Sequence, residues 1–434
     1  MFTKPAILGG TPVLPPGPHH RWPHITASDE AAVLATLRAG ELSVHRRSGV
    51  VEEFEEAFRA LVGTRWVLST GSGTAALHAS YFGLDLAPGD EVIAPAYTHL
   101  STVVPMLQAH LVPVLCDVDP ETGNLDPRAA AAAVTPRTRA IVVTHQYGHP
   151  CAMDEVEALA TRHGLRIVED CSHSHGAQWR GRPVGSIGDV GAFSLQAHKA
   201  VVAGEGGALL TDDPALFERA CLLGHFRAPT PASDEVARSA VRFAGSGYGL
   251  KNRVHPLGAA LALSQLRRLS EVNRRRARHR ARLEAHLRDI PGLRLGATHD
   301  DVERGGFFRL LLHVEPDALD GLTVERLVEA LHAEGATDAR PGAAAVPVHH
   351  LPILQTLDDR MTRTGWPRRG PHVDCAPTYR RGDFPRAEAF SRWTLQLPAF
   401  TWEEDALVDS YAEALARVCA AAPLIAHHFT RSAS

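Results

Sequence analysis

The segment WVLSTGSGTAAL, residues 66–77, joins a short apolar strand to a helix and is the first unit of the predicted fold. Gly71, Ser72 and Gly73 leave backbone N–H groups exposed at the start of the helix, where the helix dipole also favours an anion. A phosphate monoester fits this cup, with the Ser72 and Thr74 hydroxyls as extra donors. A tight turn that needs glycine only for its shape is the alternative, and the segment matches neither the Walker nor the dinucleotide fingerprint.

Around this segment, short apolar runs alternate with helical patterns. The runs predict buried strands at residues 66–68, 92–94, 112–115, 140–144 and 166–168. The spacing between them predicts helices at residues 74–84, 100–110, 128–134 and 153–163. Repeated strand–helix units indicate an α/β protein with a mostly parallel sheet between helices. Two further runs, 190–194 and 208–211, predict a hairpin that completes a seven-stranded sheet.

Three regions are expected along the chain. Residues 1–25 are rich in proline and glycine, which predicts an extended arm. A large α/β domain is expected over residues 26–255, and a smaller α+β domain over residues 256–434. Ser28 is expected to cap a first helix that Gly40 ends. A long helix over residues 256–288 is expected to lead out of the large domain.

Composition excludes several classes of protein. The 434 residues are 44% hydrophobic and 22% charged, which is typical of a soluble globular protein. The net charge of −4 gives no overall basic field for nucleic acid. No apolar run approaches the length of a membrane span, and residues 1–20 lack the pattern of a signal peptide. Six scattered cysteines indicate reduced thiols, so we expect a cytoplasmic protein.

Lysine is scarce, which draws attention to each one. Of 45 basic residues only Lys4, Lys199 and Lys251 are lysines. Lys199 lies in a segment of small and apolar residues, and a buried lysine has a lowered pKa and can form a Schiff base. A solvated loop lysine is the alternative, but this composition would place arginine at such a site.

Glu169 and Asp170 follow the strand predicted at residues 166–168. Ligands of open α/β sheets bind at the carboxyl ends of the strands, where a buried Asp170 could hold a cationic ring nitrogen. Capping of the next turn is the alternative role for this carboxylate. His173 and His175 follow in that turn, but their spacing is a weak metal signal, and we predict no metal site.

An anion cup, a carboxylate and a Schiff-base lysine together meet the needs of pyridoxal 5′-phosphate. The sequence also resembles the DegT/StrS family of sugar and aminocyclitol aminotransferases over roughly residues 5–425. The matching segments are GTAAL (73–77), PGDEVI (88–93), DVDP (117–120), ED (169–170), HGA (175–177), GD (188–189), FS (193–194), GEGG (204–207) and LQLP (395–398). The resemblance implies a homodimeric pyridoxal-phosphate enzyme of fold type I with its active sites at the subunit interface.

Roles follow from the resemblance residue by residue. Lys199, five positions after Ser194, matches the lysine that binds the cofactor, and Ser194 matches a phosphate ligand. Asp170 matches the partner of the pyridinium nitrogen, and His173 stands where the family has Gln or His near the ring. The phosphate cup matches Gly73, Thr74 and Ala75.

Two positions depart from the family pattern. The family has an aromatic residue stacked on the cofactor ring where this chain has His99, whose imidazole can also stack. The family's Asn-Tyr-Arg-Met segment, whose Asn reaches the partner subunit's phosphate, appears as Lys251-Asn252-Arg253-Val254. Alignment on Arg253 gives that role to Lys251, and a shift of one residue gives it to Asn252.

The resemblance implies transfer of an amino group from glutamate or glutamine to a keto-sugar or keto-cyclitol, in amino-sugar or secondary-metabolite biosynthesis. Some relatives carry histidine in place of the lysine and are sugar dehydratases. His198 precedes Lys199, but the spacing from Ser194 favours Lys199. A pyridoxal-phosphate dehydratase, or other chemistry on this scaffold, is the first alternative. A non-catalytic regulatory protein that binds the cofactor is the second.

Two basic clusters have other interpretations. The arginine-rich stretch 267–288 is expected to form a solvated amphipathic helix rather than a nucleic-acid site. His349, His350, Arg340 and the pair Arg380-Arg381 could meet an anionic substrate or the donor's carboxylates, or could simply face water.

Overall fold

A computed structural model describes residues 3–43, 47–225, 243, 246–342, 346–355 and 377–432. The strands are β1 Trp66–Thr70, β2 Glu91–Pro95, β3 Val112–Cys116, β4 Thr138–Thr144, β5 Arg166–Asp170, β6 Gln178–Trp179, β7 Arg182–Pro183, β8 Val190–Ser194, β9 Gly207–Thr211, β10 Leu293–Leu295, β11 Val302–Glu303, β12 Leu310–Val314, β13 Arg340–Pro341 and β14 Thr394–Leu397. The α-helices are α1 Ala27–Ala39, α2 Gly49–Val62, α3 Gly73–Gly83, α4 Leu100–Gln108, α5 Pro127–Ala132, α6 Met153–His163, α7 Pro214–Gly224, α8 Pro256–Leu266, α9 Leu269–Leu287, α10 Val324–Ala333, α11 Pro352–Gln355, α12 Pro385–Arg392, α13 Asp405–Ala420 and α14 Ala422–Ser432.

The large sheet has seven strands in the order β1-β9-β8-β5-β4-β2-β3. Strand β9 runs antiparallel to both of its neighbours, β1 and β8, and the other pairings are parallel. The expected mostly parallel seven-stranded sheet and its closing hairpin are therefore confirmed. The hairpin places the turn between β8 and β9, residues 195–206, at the same edge of the sheet as the carboxyl end of β5.

The first helix begins two residues earlier than expected, because Thr26 and not Ser28 is its cap. The Thr26 hydroxyl accepts the Asp29 N–H at 3.3 Å, and the Asp29 carboxylate accepts the Thr26 N–H at 2.9 Å. This reciprocal capping box needs an acidic group three residues after the cap, which Asp29 supplies to Thr26. Gly40 ends the helix with a φ of 72°, as expected.

The long helix expected over residues 256–288 is two helices, interrupted at Arg267 and Arg268. The first, α8, packs into the same apolar cluster as β8 and β9. The second, α9, places Leu283 and Leu287 in a different cluster, built around the antiparallel sheet β10-β12-β14-β13. The domain limits at residues 25 and 256 stay predictions.

The remaining elements include a small three-stranded sheet, β11-β6-β7. Five cysteines are buried and free, and Cys375 lies outside the described residues. Within those residues we find no helix with the length and apolar character of a membrane span.

Candidate active site

A cavity of about 440 Å³ lies at the carboxyl edge of the large sheet. It brings together seven predicted site residues: Gly73, Thr74, His99, Asp170, His173, Ser194 and Lys199. Tyr147 and Phe308, which the sequence did not single out, also line it. The parallel strands explain this convergence, since their carboxyl ends meet along one edge of the sheet.

Lys199 lies in the turn that follows β8. Its backbone N–H donates to the Gln196 carbonyl at 2.8 Å, and its Nζ lies 4.2 Å from the centre of the Phe308 ring. Burial lowers the pKa of the Lys199 amine to about 8, although the negative charge of Asp170 acts in the opposite direction. A much larger fraction of this amine than of an ordinary lysine is therefore neutral, and nucleophilic, near neutral pH.

Asp170 ends β5, is 3% exposed and faces the cavity. Its Oδ2 accepts the Thr102 hydroxyl at 2.7 Å, and its Oδ1 accepts the Ser172 N–H at 3.1 Å. Because Thr102 donates to the carboxylate, it accepts from Thr98 at 2.7 Å, and Thr98 accepts from Thr144 at 2.9 Å. Asp170 thus caps the next turn and is also held by a directed chain of hydroxyls, while its role toward a ring nitrogen stays a prediction.

Glu169, its neighbour, is fully buried and does not line the cavity. Its carboxylate accepts the N–H groups of Gly185, Ile187 and Gly188 at 2.7–2.9 Å and the His145 Nε2–H at 3.0 Å. Burial raises the pKa of Glu169, but the His145 and backbone hydrogen bonds outweigh it, and the net pKa lies below the usual value. Glu169 therefore ties the loop before β8 to the sheet.

The predicted anion cup is formed by the start of α3 and by Ser194. A Cβ on Gly73 would lie 2.7 Å from the Ser194 Cβ, so only glycine allows this close approach. The N–H groups of Gly73 and Thr74 are in the first helical turn and have no acceptor within the helix. The Ala75 N–H, by contrast, donates to the Ser72 hydroxyl at 3.0 Å, and Ala75 does not line the cavity.

Two imidazoles line the cavity. The His173 ring is stacked on Phe308, with centres 4.1 Å apart and planes within 3°, and its buried Nδ1 has no partner in the described part of the chain. Burial, followed by the charge of Lys199, keeps the pKa of His173 well below its usual value. His99 caps α4 by accepting the Ser101 N–H at 3.2 Å, and burial lowers its pKa too. Both rings are therefore neutral at physiological pH.

Lys251 and Asn252 do not line the cavity of this chain. Lys251 is exposed, and the Asn252 carbonyl accepts the Gly71 N–H at 2.6 Å. The role expected for one of them concerns the phosphate of a partner subunit, so it stays a prediction.

The other basic residues are dispersed. His349 and His350 both donate from Nε2 to the Glu388 carboxylate, at 2.8 and 3.0 Å, and thereby tie the segment before α11 to α12. Arg380 and Arg381 are exposed, and neither they nor the two histidines line the cavity. On α9, most arginines pair with acids as a solvated helix requires, but Arg276 is 2% exposed.

Sequence reasoning missed Tyr147 and Phe308 at the cavity. The Tyr147 hydroxyl lies 2.7 Å from the Tyr97 hydroxyl and accepts from the Gln396 amide at 3.2 Å. Tyr147 has a φ of 50°, a left-handed conformation that is costly for a tyrosine and often found at functional sites. No local pattern signals these residues, because their contacts come from segments that are distant in the sequence, such as Gln396 for Tyr147 and Lys199 for Phe308.

Comparison with known proteins agrees with the resemblance found in the sequence. The model of the DegT/DnrJ/EryC1/StrS aminotransferase family matches residues 23–365. The L-glutamine:2-deoxy-scyllo-inosose aminotransferase of Streptoalloteichus tenebrarius is 35% identical over 359 residues, covering 80% of this chain and 82% of that protein. The spore coat polysaccharide biosynthesis protein SpsC of Bacillus subtilis is 33% identical over 399 residues, covering 91% and 95%.

A solved structure of DesI in the presence of its TDP-sugar product has a TM-score of 0.77 and 31% identity, covering 99% of this chain and 100% of that one. These similarities confirm the expected fold type I, the aminotransferase activity and the use of pyridoxal 5′-phosphate. The cavity, the family match and the relatives agree, and the chain belongs to the DegT/DnrJ/EryC1/StrS aminotransferase family.

Proposed function

We propose that the protein moves the amino group of glutamine or glutamate to the keto group of a sugar or cyclitol, using pyridoxal 5′-phosphate held in the 440 Å³ cavity. The observation that carries the proposal is the meeting of Lys199 and Asp170 with the predicted anion cup in one cavity. Two relatives support this substrate class. The name of one gives glutamine as the donor and a 2-deoxy-scyllo-inosose as the acceptor, and the solved structure of DesI was obtained in the presence of its TDP-sugar product.

The residues present fit the cofactor. Gly73, Thr74 and Ser194 offer N–H and hydroxyl donors to a phosphate, and Asp170 offers a carboxylate to a ring nitrogen. The unpartnered Nδ1 of His173 is a buried polar atom that a ligand would satisfy. When bound, the cofactor withdraws electrons from the α-carbon of the amino acid, so that this carbon can lose a proton.

Lys199 then has two tasks. Its amine, with a pKa of about 8, is the nucleophile that holds the cofactor at rest. Once a donor has displaced it, the same amine moves the proton away from the donor's α-carbon and later returns a proton to the acceptor carbon. Asp170, fixed by Thr102, would present its carboxylate to the ring nitrogen.

The site geometry also bears on the dehydratase alternative. His198 is exposed and does not line the cavity, whereas Lys199 does. This arrangement supports amino transfer over the reaction of relatives that carry histidine in place of the lysine. We further propose a homodimer in which Lys251 or Asn252 approaches the partner's cup. The cytoplasmic location stays a prediction.

The test is spectroscopic. Purified protein with pyridoxal phosphate should show a visible absorbance band that glutamine or glutamate bleaches, and Lys199→Ala should lack both the band and turnover. Mass spectrometry with keto-cyclitols and nucleotide-linked keto-sugars then identifies the acceptor. A Lys199→Ala protein that kept band and turnover would refute the proposal, and an unbleached band in the wild type would favour dehydration or a regulatory role.

A further inference from the structure

The N-terminal arm reaches the turn that carries Lys199. The Trp22 indole N–H donates to the Lys199 backbone carbonyl at 3.0 Å, across 177 residues of sequence. The arm is docked on both sides of this contact. The His20 Nδ1 lies 2.7 Å from the Glu403 carboxylate, and the His24 carbonyl accepts the Arg268 guanidinium at 2.7 Å.

Arg276 packs against the face of the Trp22 ring. Its guanidinium carbon lies 4.2 Å from the centre of the indole, within the range of a cation–π contact. Its Nε donates to the Thr401 hydroxyl at 2.8 Å, and its Nη1 donates to the Gly306 carbonyl. Arg276 lies on the buried face of α9, whereas most arginines of this helix lie on its solvated face, so the position of Arg276 serves these contacts rather than water.

The same arginine fixes the segment that leads into Phe308. Gly306 is held on its carbonyl side by Arg276 and on its N–H side by the Asn273 side chain at 2.9 Å. Phe308 follows two residues later, with the Lys199 Nζ 4.2 Å from its ring centre and the His173 ring stacked against it. Arg276 therefore acts on both ends of Lys199, on the carbonyl through Trp22 and on the amine through Phe308.

We propose that Trp22 and Arg276 are positioning residues that set the direction of the Lys199 amine in the cavity. The catalytic consequence of this inference rests on the proposed function. Neither Trp22 nor Arg276 lines the cavity, so both would act through Lys199. The hydrogen bond to the lysine's own carbonyl restrains the backbone from which the reacting amine extends. Loss of that restraint broadens the positions of the amine, and misplacement of a reacting group slows a step without weakening ground-state binding.

Trp22→Phe tests this directly, because phenylalanine keeps an aromatic ring for Arg276 but is smaller and has no N–H, and the loss of volume is matched by a control. The matched control is Trp402→Phe. Trp402 also lies against an arginine, Arg275 at 4.5 Å, but its indole N–H has no partner within the described residues. Both variants delete one indole N–H, and only Trp22 donates it to the lysine turn.

The first readout is hydrogen exchange of the protein without cofactor. The Ala203 and Val202 amides, bonded to the Leu195 carbonyl and the Gln265 side chain, report on the turn. We expect about 3–10-fold faster exchange over residues 200–203 in Trp22→Phe only, the usual effect of one lost hydrogen bond. The second readout is turnover: kcat should fall by about 3–10-fold with both KM values within about twofold, at an unchanged Tm.

Trp22→Phe that matches Trp402→Phe in exchange overturns the inference. So does a lowered Tm with faster exchange throughout the chain, since that result marks a general structural role. Arg276→Lys, compared with Arg275→Lys, should speed exchange over residues 200–203 and 305–308, and equal exchange in these two variants also counts against the inference. Because the exchange experiment needs no cofactor, a protein without transaminase activity would refute the proposed function and leave this test standing.

Discussion

The two carboxylates that end β5 are adjacent in sequence and both buried, but they differ in their hydrogen-bond partners and in their access to the cavity. Glu169 accepts four hydrogen bonds, three of them from backbone N–H groups, and has no access to the cavity. Asp170 accepts two and faces the cavity beside Lys199. Because side chains alternate across a strand, neighbouring residues serve opposite faces of the sheet. One acid therefore serves the fold and the other is available for chemistry.

Asp170→Asn should have the largest effect on this contrast. Asparagine keeps the shape but removes the charge that faces the ring nitrogen, so we expect turnover to fall by about 10²–10³-fold, as for other lost electrostatic contacts at reacting groups. The negative charge of Asp170 also raises the pKa of Lys199, so the variant should have a Lys199 pKa below the wild-type value of about 8, and the pH midpoint of its cofactor binding should shift downward. Stopped-flow absorbance against pH measures both. An unchanged pH midpoint of cofactor binding together with normal turnover would show that Asp170 has no part in the reaction.

Glu169→Gln should instead lower stability. The amide has one acceptor oxygen fewer for the buried N–H groups of the loop before β8, and we expect a loss of about 2–3 kcal/mol in the free energy of unfolding. Since the pKa of Glu169 is lowered in the folded state, its contribution is present above its unfolded pKa and is lost as the pH falls through the folded value. Urea titrations should therefore show the gap between wild type and variant narrowing below about pH 4.5. If Glu169→Gln lost as much turnover as Asp170→Asn, the proposed division between a structural Glu169 and a catalytic Asp170 would be wrong.

Thr102→Val should have the smallest effect. It removes the hydroxyl that donates to the Asp170 Oδ2 and leaves the carboxylate with one protein donor in the described residues. We expect turnover to fall by about 3–10-fold, the usual range for one hydrogen bond. Ser80→Ala is the control, because the Ser80 hydroxyl donates only within its own helix, to the Ala76 carbonyl. Equal turnover in the two variants would show that the hydroxyl chain does not matter.

The sequence predicted most of the fold because its signals were local. Apolar runs marked the strands of the large sheet, and α6 has the predicted bounds, Met153–His163. The errors arose where two residues could cap the same helix or where one helical pattern could be continuous or interrupted. Thr26 displaced Ser28 as a cap because Asp29 completes its capping box, and the pattern over residues 256–288 could not locate the break at Arg267 and Arg268.

For the site, motif spacing found residues at strand ends and helix starts, such as Asp170, Gly73 and Lys199. It could not find Phe308, Trp22 or Arg276, since their importance depends on contacts between distant segments. Arg276 is the clearest example, because it lies in a run of arginines, and only its burial and its contacts with Trp22, Thr401 and Gly306 distinguish it.

The contact between Trp22 and Lys199 has a consequence for the order in which the protein is made. Ribosomes add about 5–20 residues per second, so about 9–35 s separate the synthesis of the two residues. Glu403, the partner of His20, follows still later, 383 residues behind it. The arm is thus synthesised well before the segments on which it docks, and the lysine turn gains its full set of restraints only after Glu403 has been made.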